Sequence, residues 1–259
     1  SVAVVDPVAV GLPATGGGGV IATAIRVLTQ LRRDPRTVAL IVGVPCLLEF
    51  LLKEIFAGRP EVFQHVGAPL LGLFPFVSMF VVTSVTMLRE RTSGTLERLM
   101  SLPLAKLDLL AGYALAFALA ALVQAAAVSA LAFGALGLHV GGPRVAVAAL
   151  AVANATLGMA LGLFVSAFAR TEFQAVQFLP AVVFPQLLLS GLFVARGDMA
   201  RWLRAISDAL PLSYAYDALA RVAGDGPYGG WFAADLAVTI GGALLALAAG
   251  AATLRRRTA

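Results

Sequence analysis

Charge is scarce in this chain, and so is sulfur. Of its 259 residues only 13% are Asp, Glu, Lys or Arg, while 60% are hydrophobic. A soluble domain of this length needs far more polar surface, so the composition places the chain in a membrane. The single cysteine, Cys46, lies inside an apolar run. That excludes an internal disulfide framework and a cysteine metal cluster. Carboxylate clusters of the D-x-x-D type are missing from the apolar spans, which argues against a metal-dependent lipid transferase; no metal site is expected. The two histidines, His65 and His139, fall where outer loops are expected. A net charge of +5 is not a nucleic-acid signature here, because the basic residues flank apolar spans and form no continuous face.

The first residues lack the basic n-region of a secretory signal. Gly16 to Gly19 is a glycine run without the G-K-[ST] that would bring a lysine to phosphates, so residues 1–19 read as a flexible leader. Ser190-Gly191 raises an intramembrane serine protease, but the G-x-S-G form is not met, since Leu188 occupies the first position.

What the chain does have is long apolar runs. Those near Thr37–Ala57, Pro69–Leu88, Leu109–Leu136, Val145–Ala169, Val176–Val194 and Phe232–Leu254 are each long enough to cross about 30 Å of hydrocarbon as a helix. The expected fold is an all-α membrane protein of six transmembrane helices. Before the first span, Ile21, Ile25, Leu28 and Leu31 share one helical face and Arg26, Gln30 and Arg33 another, the pattern of an interfacial helix. With the N-terminus in the cytoplasm, the inner side gathers Arg26, Arg32, Arg33, Arg36, Arg89, Arg91, Arg98, Lys106, Arg170 and Arg255–Arg257. The outer side gathers Arg59, Arg144, Arg196, Arg201, Arg204 and Arg221. This asymmetry predicts both termini inside, with Gly58–Ala68, His139–Arg144 and Arg196–Gly230 outside.

Charges inside the spans are functional suspects. Glu49 and Lys53 stand one turn apart, acid first, and suit an ion pair, with Glu54 beside them. The pair reads either as structural, with Lys53 snorkelling, or as a contact to substrate or a second protomer. Gln124, Asn154 and Gln186 are lone polar residues suited to bonding a neighbouring helix or a substrate. Phe76 and Phe80, with Phe74, Phe164, Phe168 and Phe184, read as packing or as the lining of an apolar path. Gly158-x-x-x-Gly162 permits a close helix contact, within the chain or between subunits. In the outer segment, Asp198 is placed to cap a helix whose Met199, Trp202, Leu203, Ile206 and Leu210 form an apolar face, with Arg204 pairing Asp208. A second short element is expected over Ser213–Val222. The outer helix reads as an interfacial anchor or a gate.

Between the second and third spans runs a charged stretch, Arg89-Glu90-Arg91-Thr92-Ser93-Gly94-Thr95-Leu96-Glu97-Arg98-Leu99-Met100-Ser101-Leu102-Pro103. Leu96, Leu99 and Met100 recur at helical spacing, Ser93 can cap the start and Pro103 ends the turn. This R-E-x-x-x-G-T-L-E-x-L-x-x-x-P sequence resembles the cytoplasmic coupling helix of ABC-2 type transporter permeases. Leu31-Arg32-Arg33-Asp34-Pro35-Arg36 is similar to the start of their first span. Leu189-Ser190-Gly191-Leu192-Phe193, Trp202-Leu203, Pro211-Leu212-Ser213-Tyr214 and Asp217-Ala218-Leu219 resemble their C-terminal part, nearest the drug and antibiotic exporter branch.

The resemblance covers nearly everything from Val20 onward and implies one transmembrane domain over 20–259. It implies that Arg89, Glu90, Gly94, Thr95, Leu96, Glu97, Leu99 and Pro103 couple to an ATPase, and that Trp202, Leu203 and Tyr214 cap the exit of a path. The chain itself is then a permease and no enzyme. No Walker A sequence occurs in these residues, so ATP and Mg are expected on a partner ATPase. Further expected partners are a second permease subunit, membrane lipids and an amphiphilic small-molecule substrate, but no nucleic acid. The expected setting is a bacterial cytoplasmic membrane and the expected cargo a drug or antibiotic. Lipid or glycolipid export is the alternative. An ion-coupled secondary transporter would call for midplane acids and inverted repeats, and neither is seen.

Overall fold

In the computed structural model of the protein, residues 17–94, 106–224 and 230–253 are described. Among them every regular element is a helix. Helix α1 is Gly17–Arg33 and α2 runs through Pro35–Val38, a wider π turn at Ala39–Gly43, and Val44–Ile55. The longest, α3, is Pro60–Thr92; α4 is Lys106–Ala130 with a π turn at Leu131–Ala135, and α5 is Arg144–Val165. Helix α6 joins Glu172–Phe178, a π turn at Leu179–Val183, and Phe184–Leu189. The short α7 (Arg201–Ala209) and α8 (Pro211–Ala223) precede α9, Gly230–Ala252.

Five of these helical stretches are long and apolar enough to cross a membrane: Pro60–Thr92, Asp108–Ala135, Arg144–Val165, Glu172–Leu189 and Trp231–Ala252. The all-α membrane fold therefore stands. The sixth expected span, α2, is helical over its whole length but is not among the five; its C-terminal half carries Glu49, Lys53 and Glu54. It nonetheless exposes Leu40, Leu47, Leu51 and Ile55 along one side.

Local chemistry sets the helix boundaries. Asp34 caps α2, accepting from the Arg36 and Thr37 N–H groups, and Pro35 supplies the favourable first position. Thr171 caps α6 by accepting from Gln174 N. Pro60 starts α3 nine residues ahead of the expected Pro69, because a proline within the first turn needs no donor. Pro69 and Pro75 then sit inside the helix, where packing against neighbours accommodates them. The predicted outer loop Gly58–Ala68 thus shrinks to a turn, and His65 lies in a helix. Gly17–Gly19, expected in the leader, form the first turn of α1.

The core is the seam between α3 and α5, the most extensive helix contact in the chain. Gly158 and Gly162 let the backbones meet: a Cβ at Gly158 would lie 2.1 Å from the Phe76 carbonyl oxygen, and one at Gly162 would lie 2.5 Å from that of Phe80. The small-x-x-x-small contact is therefore within the chain. Helix α1 packs on α4 in the same way, a Cβ at Gly112 meeting Thr23 Cβ at 2.5 Å. Its buried face is Thr23, Ala24 and Val27, whereas Ile21 and Ile25 point outward. The expected face is thus rotated, and α1 is docked on the bundle as well as amphipathic.

Candidate functional site

The C-terminal root of α3, the end expected to face inward and called inner below, is a knot of ion pairs. Arg89 makes a two-pronged bond to Glu172 at the start of α6, Nε to Oε1 at 2.7 Å and Nη2 to Oε2 at 2.9 Å. One residue on, Glu90 turns inward and is 5% exposed. Arg26 of α1 stands 3.7 Å from its Oε1 and also donates to the Tyr113 hydroxyl of α4. Glu90 Oε2 is buried without a hydrogen-bond partner. Asp34 accepts from Thr37 Oγ1 at 2.6 Å. That bond and the backbone N–H bonds of Thr37 and Arg36 hold its carboxyl below the usual range. Arg89 and Glu90, which open the charged stretch, are thus tied to α6 and α1, and through Arg26 to α4. Gly94 takes a left-handed φ of 72°, the conformation glycine adopts most readily, just past the Ser93 C-cap. Ser93 closes α3 through its N–H bond to Arg89 O, a C-terminal role alongside the expected N-terminal one. Thr95, Leu96, Glu97, Leu99 and Pro103 lie outside the described residues.

The intramembrane pair does not form. Glu49 is fully buried in α2 and neither carboxyl oxygen has a hydrogen-bond partner. It faces Gly67 of α3, where a Cβ would sit 3.4 Å from its Oε1, with Phe63 and Leu138 close by. Lys53 is half-buried and Glu54 is exposed. The one-turn spacing was right for a pair, but Glu49 packs on the glycine gap in α3 instead. Phe76 and Phe80 are fully buried in the α3–α5 seam and line no path in this arrangement. Gln124 donates to Ser78 Oγ at 2.7 Å, Asn154 to Gly72 O at 3.2 Å, and Gln186 to Val182 O within its own helix at 3.2 Å. Each leaves its carbonyl oxygen buried and unbonded. Ser190 Oγ is committed to Leu187 O at 2.8 Å.

The outer unit is stitched differently from the sequence expectation. Asp198 ends a short 3-10 turn and does not cap α7, whose N-cap position is Ala200. Arg204 is exposed; Asp208 instead pairs with Arg196, which also reaches Asp217 Oδ2 at 2.5 Å. Burial alone would lower the Arg196 pKa, but the bonds to Asp208 and Asp217 outweigh it and raise it. The Tyr214 ring lies 5.0 Å beneath the Arg196 guanidinium, and its hydroxyl donates to Asp208 O at 2.8 Å. Ser207 is the buried residue of α7 and donates to Leu189 O at 2.7 Å. Trp202 and Ile206 are 66% and 45% exposed and turn away from the bundle, whereas Met199, Leu203 and Leu210 of the same expected face are half-buried. Below, Gly141 and Gly142 donate to Ala223 O and Val222 O, and Gln64 bridges to Gly137 O and His139 N.

Glu172 and Tyr113 were not singled out by sequence, and Arg26 and Arg196 were read only as a polar helix face and as charges that set the orientation. Their partners lie on other elements, and no local spacing marks them. Among the described residues no group of three or more His, Cys, Asp or Glu could hold a metal ion. Among the described residues the geometry offers mechanical ties and buried amides.

Comparison with known proteins agrees with a transport scaffold. The chain is 29% identical over 147 residues to ABC transporter G family member 20 of Dictyostelium discoideum, covering 57% of this chain and 20% of that protein. It is 23% identical over 141 residues to the linearmycin resistance permease protein LnrN of Bacillus subtilis (strain 168), covering 54% of this chain and 36% of that one. The aligned region is thus a minor part of both relatives. The family model described as ABC-2 type transporter matches residues 19–222. Spanning most of the bundle, that match places this multi-pass membrane protein in the ABC-2 type transporter family.

Proposed function

We propose that the chain is the membrane-spanning subunit of an ATP-driven exporter, moving hydrophobic or amphiphilic compounds of drug or antibiotic type. It has six spans counting α2, and both termini face the cytoplasm of a bacterial cell. ATP and Mg are bound by an ATPase outside these residues, and a second permease subunit completes the path. The observation that carries this reading is the inner knot. Within the family match, the residues that open the charged stretch are tied by Arg89–Glu172 and Arg26–Glu90 to α6 and α1. A push at that stretch would therefore reach several helices together.

The LnrN relative, named a resistance permease, favours a drug or antibiotic cargo over a lipid. Trp202, Leu203 and Tyr214 would form the outer gate, and the unbonded carbonyls of Gln124, Asn154 and Gln186 would offer polar contacts along the way. Two measurements test the reading. Mild-detergent purification should bring down an ATPase that hydrolyses ATP faster with the chain than alone. Glu97→Lys should leave the protein inserted while weakening that association, because a sign reversal at a polar contact is repulsive. Unchanged association and unchanged export would remove the docking role.

A further inference from the structure

Helix α6 changes partners halfway along its length. Its first segment, Glu172–Phe178, packs on the end of α3, with Ala175 fully buried in a cluster with Leu88 and Glu172 held by Arg89. Its last segment, Phe184–Leu189, packs chiefly on α7 and α8. There Leu189 O accepts from Ser207 Oγ at 2.7 Å and from Ser213 Oγ at 3.4 Å. One end of α6 therefore belongs to the inner knot and the other to the outer unit.

Between the two segments lies the π turn Leu179–Val183, with Pro180 inside it and Pro185 just past it. A proline has no N–H to give to the helix ladder, and helices bend at prolines and at π turns. The π turns of α2 and α4 contain no proline. Packing does little to hold the middle of α6 straight. Pro180, Ala181, Phe184 and Pro185 are exposed, and only 17% of this span is buried, against 67% for α3 and for α5. Val183 is the exception, fully buried in the cluster that holds Leu73 and Phe76 of α3. Gln186 Nε2, in the last segment, reaches back to Val182 O of the turn at 3.2 Å.

We propose that Leu179–Val183 is a hinge, pivoting on the buried Val183, about which the first segment of α6 swings with α3 while the last segment stays with the outer unit. A displacement of the inner knot is then absorbed at the turn and is not passed along α6 to α7 and α8. The hinge rests on the fold alone, on no ATPase and on no cargo.

The full chain, carrying Cys46→Ser, is spin-labelled in lipid nanodiscs at two pairs of exposed positions. Phe173→Cys with Ala248→Cys reads the inner ends of α6 and α9, and Leu188→Cys with Ala233→Cys reads their outer ends. Double electron–electron resonance measures both distances. Arg89→Ala releases the first segment of α6 from α3. An arm of about 12 Å from Phe173 to the turn, swinging by about 20°, moves its tip by roughly 4 Å. The inner distance should shift or broaden by that amount while the outer one holds. Pro180→Ala with Pro185→Ala gives two donors back to the ladder, and the two ends should then respond alike to Arg89→Ala. Both prolines are exposed, so the exchange removes little packing. If the double exchange fails to fold, Pro180→Ala alone decides, and the difference between the ends should shrink. Equal responses at both ends with the prolines in place overturn the hinge, as does no response at either end. A difference that persists undiminished after the proline exchange overturns it too. No ATPase takes part, so a failed export assay and a failed distance measurement report on different claims.

Discussion

Both ends of the bundle are held by arginine–carboxylate clusters, yet the clusters span very different distances along the chain. At the inner end Arg89 pairs with Glu172 across 83 residues, and Arg26 reaches Tyr113 across 87. At the outer end Arg196 gathers Asp208 and Asp217 from 12 and 21 residues away. The inner cluster joins long helices far apart in sequence; the outer one closes a compact local unit. The Arg89–Glu172 tie is also wetter, with its side chains 57% and 53% exposed against 15% for Arg196, whereas the Arg26–Glu90 contact beside it is shielded on the Glu90 side. Exposed ties of this sort break and re-form at little cost, as a moving joint requires, whereas the shielded outer cluster favours a fixed shape.

Arg196→Ala is the hardest blow to that comparison. It strands two carboxylates and removes the cation over Tyr214. Breaking a buried pair costs about 3–5 kcal/mol, and the partial exposure of Asp208 brings the expectation down to about 2–3 kcal/mol. The damage should stay local. Hydrogen exchange should rise through α7 and α8 and hold steady at the end of α3. An equal rise at both ends would mean that the clusters do not differ in kind.

Glu49 sharpens the comparison because it belongs to neither cluster. A fully buried carboxyl without a bonded oxygen is worse than an apolar side chain of similar size. Glu49→Met is expected to stabilise the chain by about 1–2 kcal/mol in a thermal melt, and Lys53→Ala to change it by less than about 0.5 kcal/mol. A clear loss on Glu49→Met would reveal a partner that this single chain does not supply.

The spans were legible because apolar runs of membrane length have few other solutions, but their faces were not. Sequence patterning assigns the large apolar residues to the interior, as water demands. In α1 the interior went to Thr23, Ala24 and Val27, and in α7 to Ser207, while Ile21, Ile25, Trp202 and Ile206 face out. Lipid removes the drive to bury large side chains, and small residues win the contacts because backbones approach closely there, as at Gly112 and Gly158. At the start of the charged stretch the anchors were not legible, since Glu172 carries no local mark and Arg26 read only as part of a polar helix face. The pairs that sequence did infer, Glu49–Lys53 and Arg204–Asp208, followed the one-turn rule; burial against Gly67 without any bonded partner overrode it in the first, and Arg196 as a tertiary partner in the second.

Asp34 gives a smaller, pH-dependent effect at the inner end. Its folded-state pKa lies below the unfolded value, so its contribution is present above the ordinary aspartate pKa and is lost as pH falls through the folded one. Asp34→Ala should cost about 1 kcal/mol at neutral pH, the usual worth of a helix cap. The gap between the melts of the two proteins should narrow below about pH 4. A gap independent of pH would mean that packing, and not the carboxylate, accounts for the cost.

The Arg89–Glu172 tie also contributes little to stability, and it is the one that bears most directly on the proposed transport. Both side chains are more than half exposed, so despite its two-pronged geometry the pair is worth at most about 1 kcal/mol. Arg89→Glu and Glu172→Arg, each alone, place like charges face to face and should shift the melt only slightly. If the inner cluster is the joint, each single change should lower ATP-driven export while the ATPase stays bound, because α3 and α6 no longer move as one. The double exchange, Arg89→Glu with Glu172→Arg, restores the attraction with the signs reversed and should recover most of the export. A merely structural pair predicts the opposite separation: small shifts in melting, no change in export, and nothing for the double exchange to rescue.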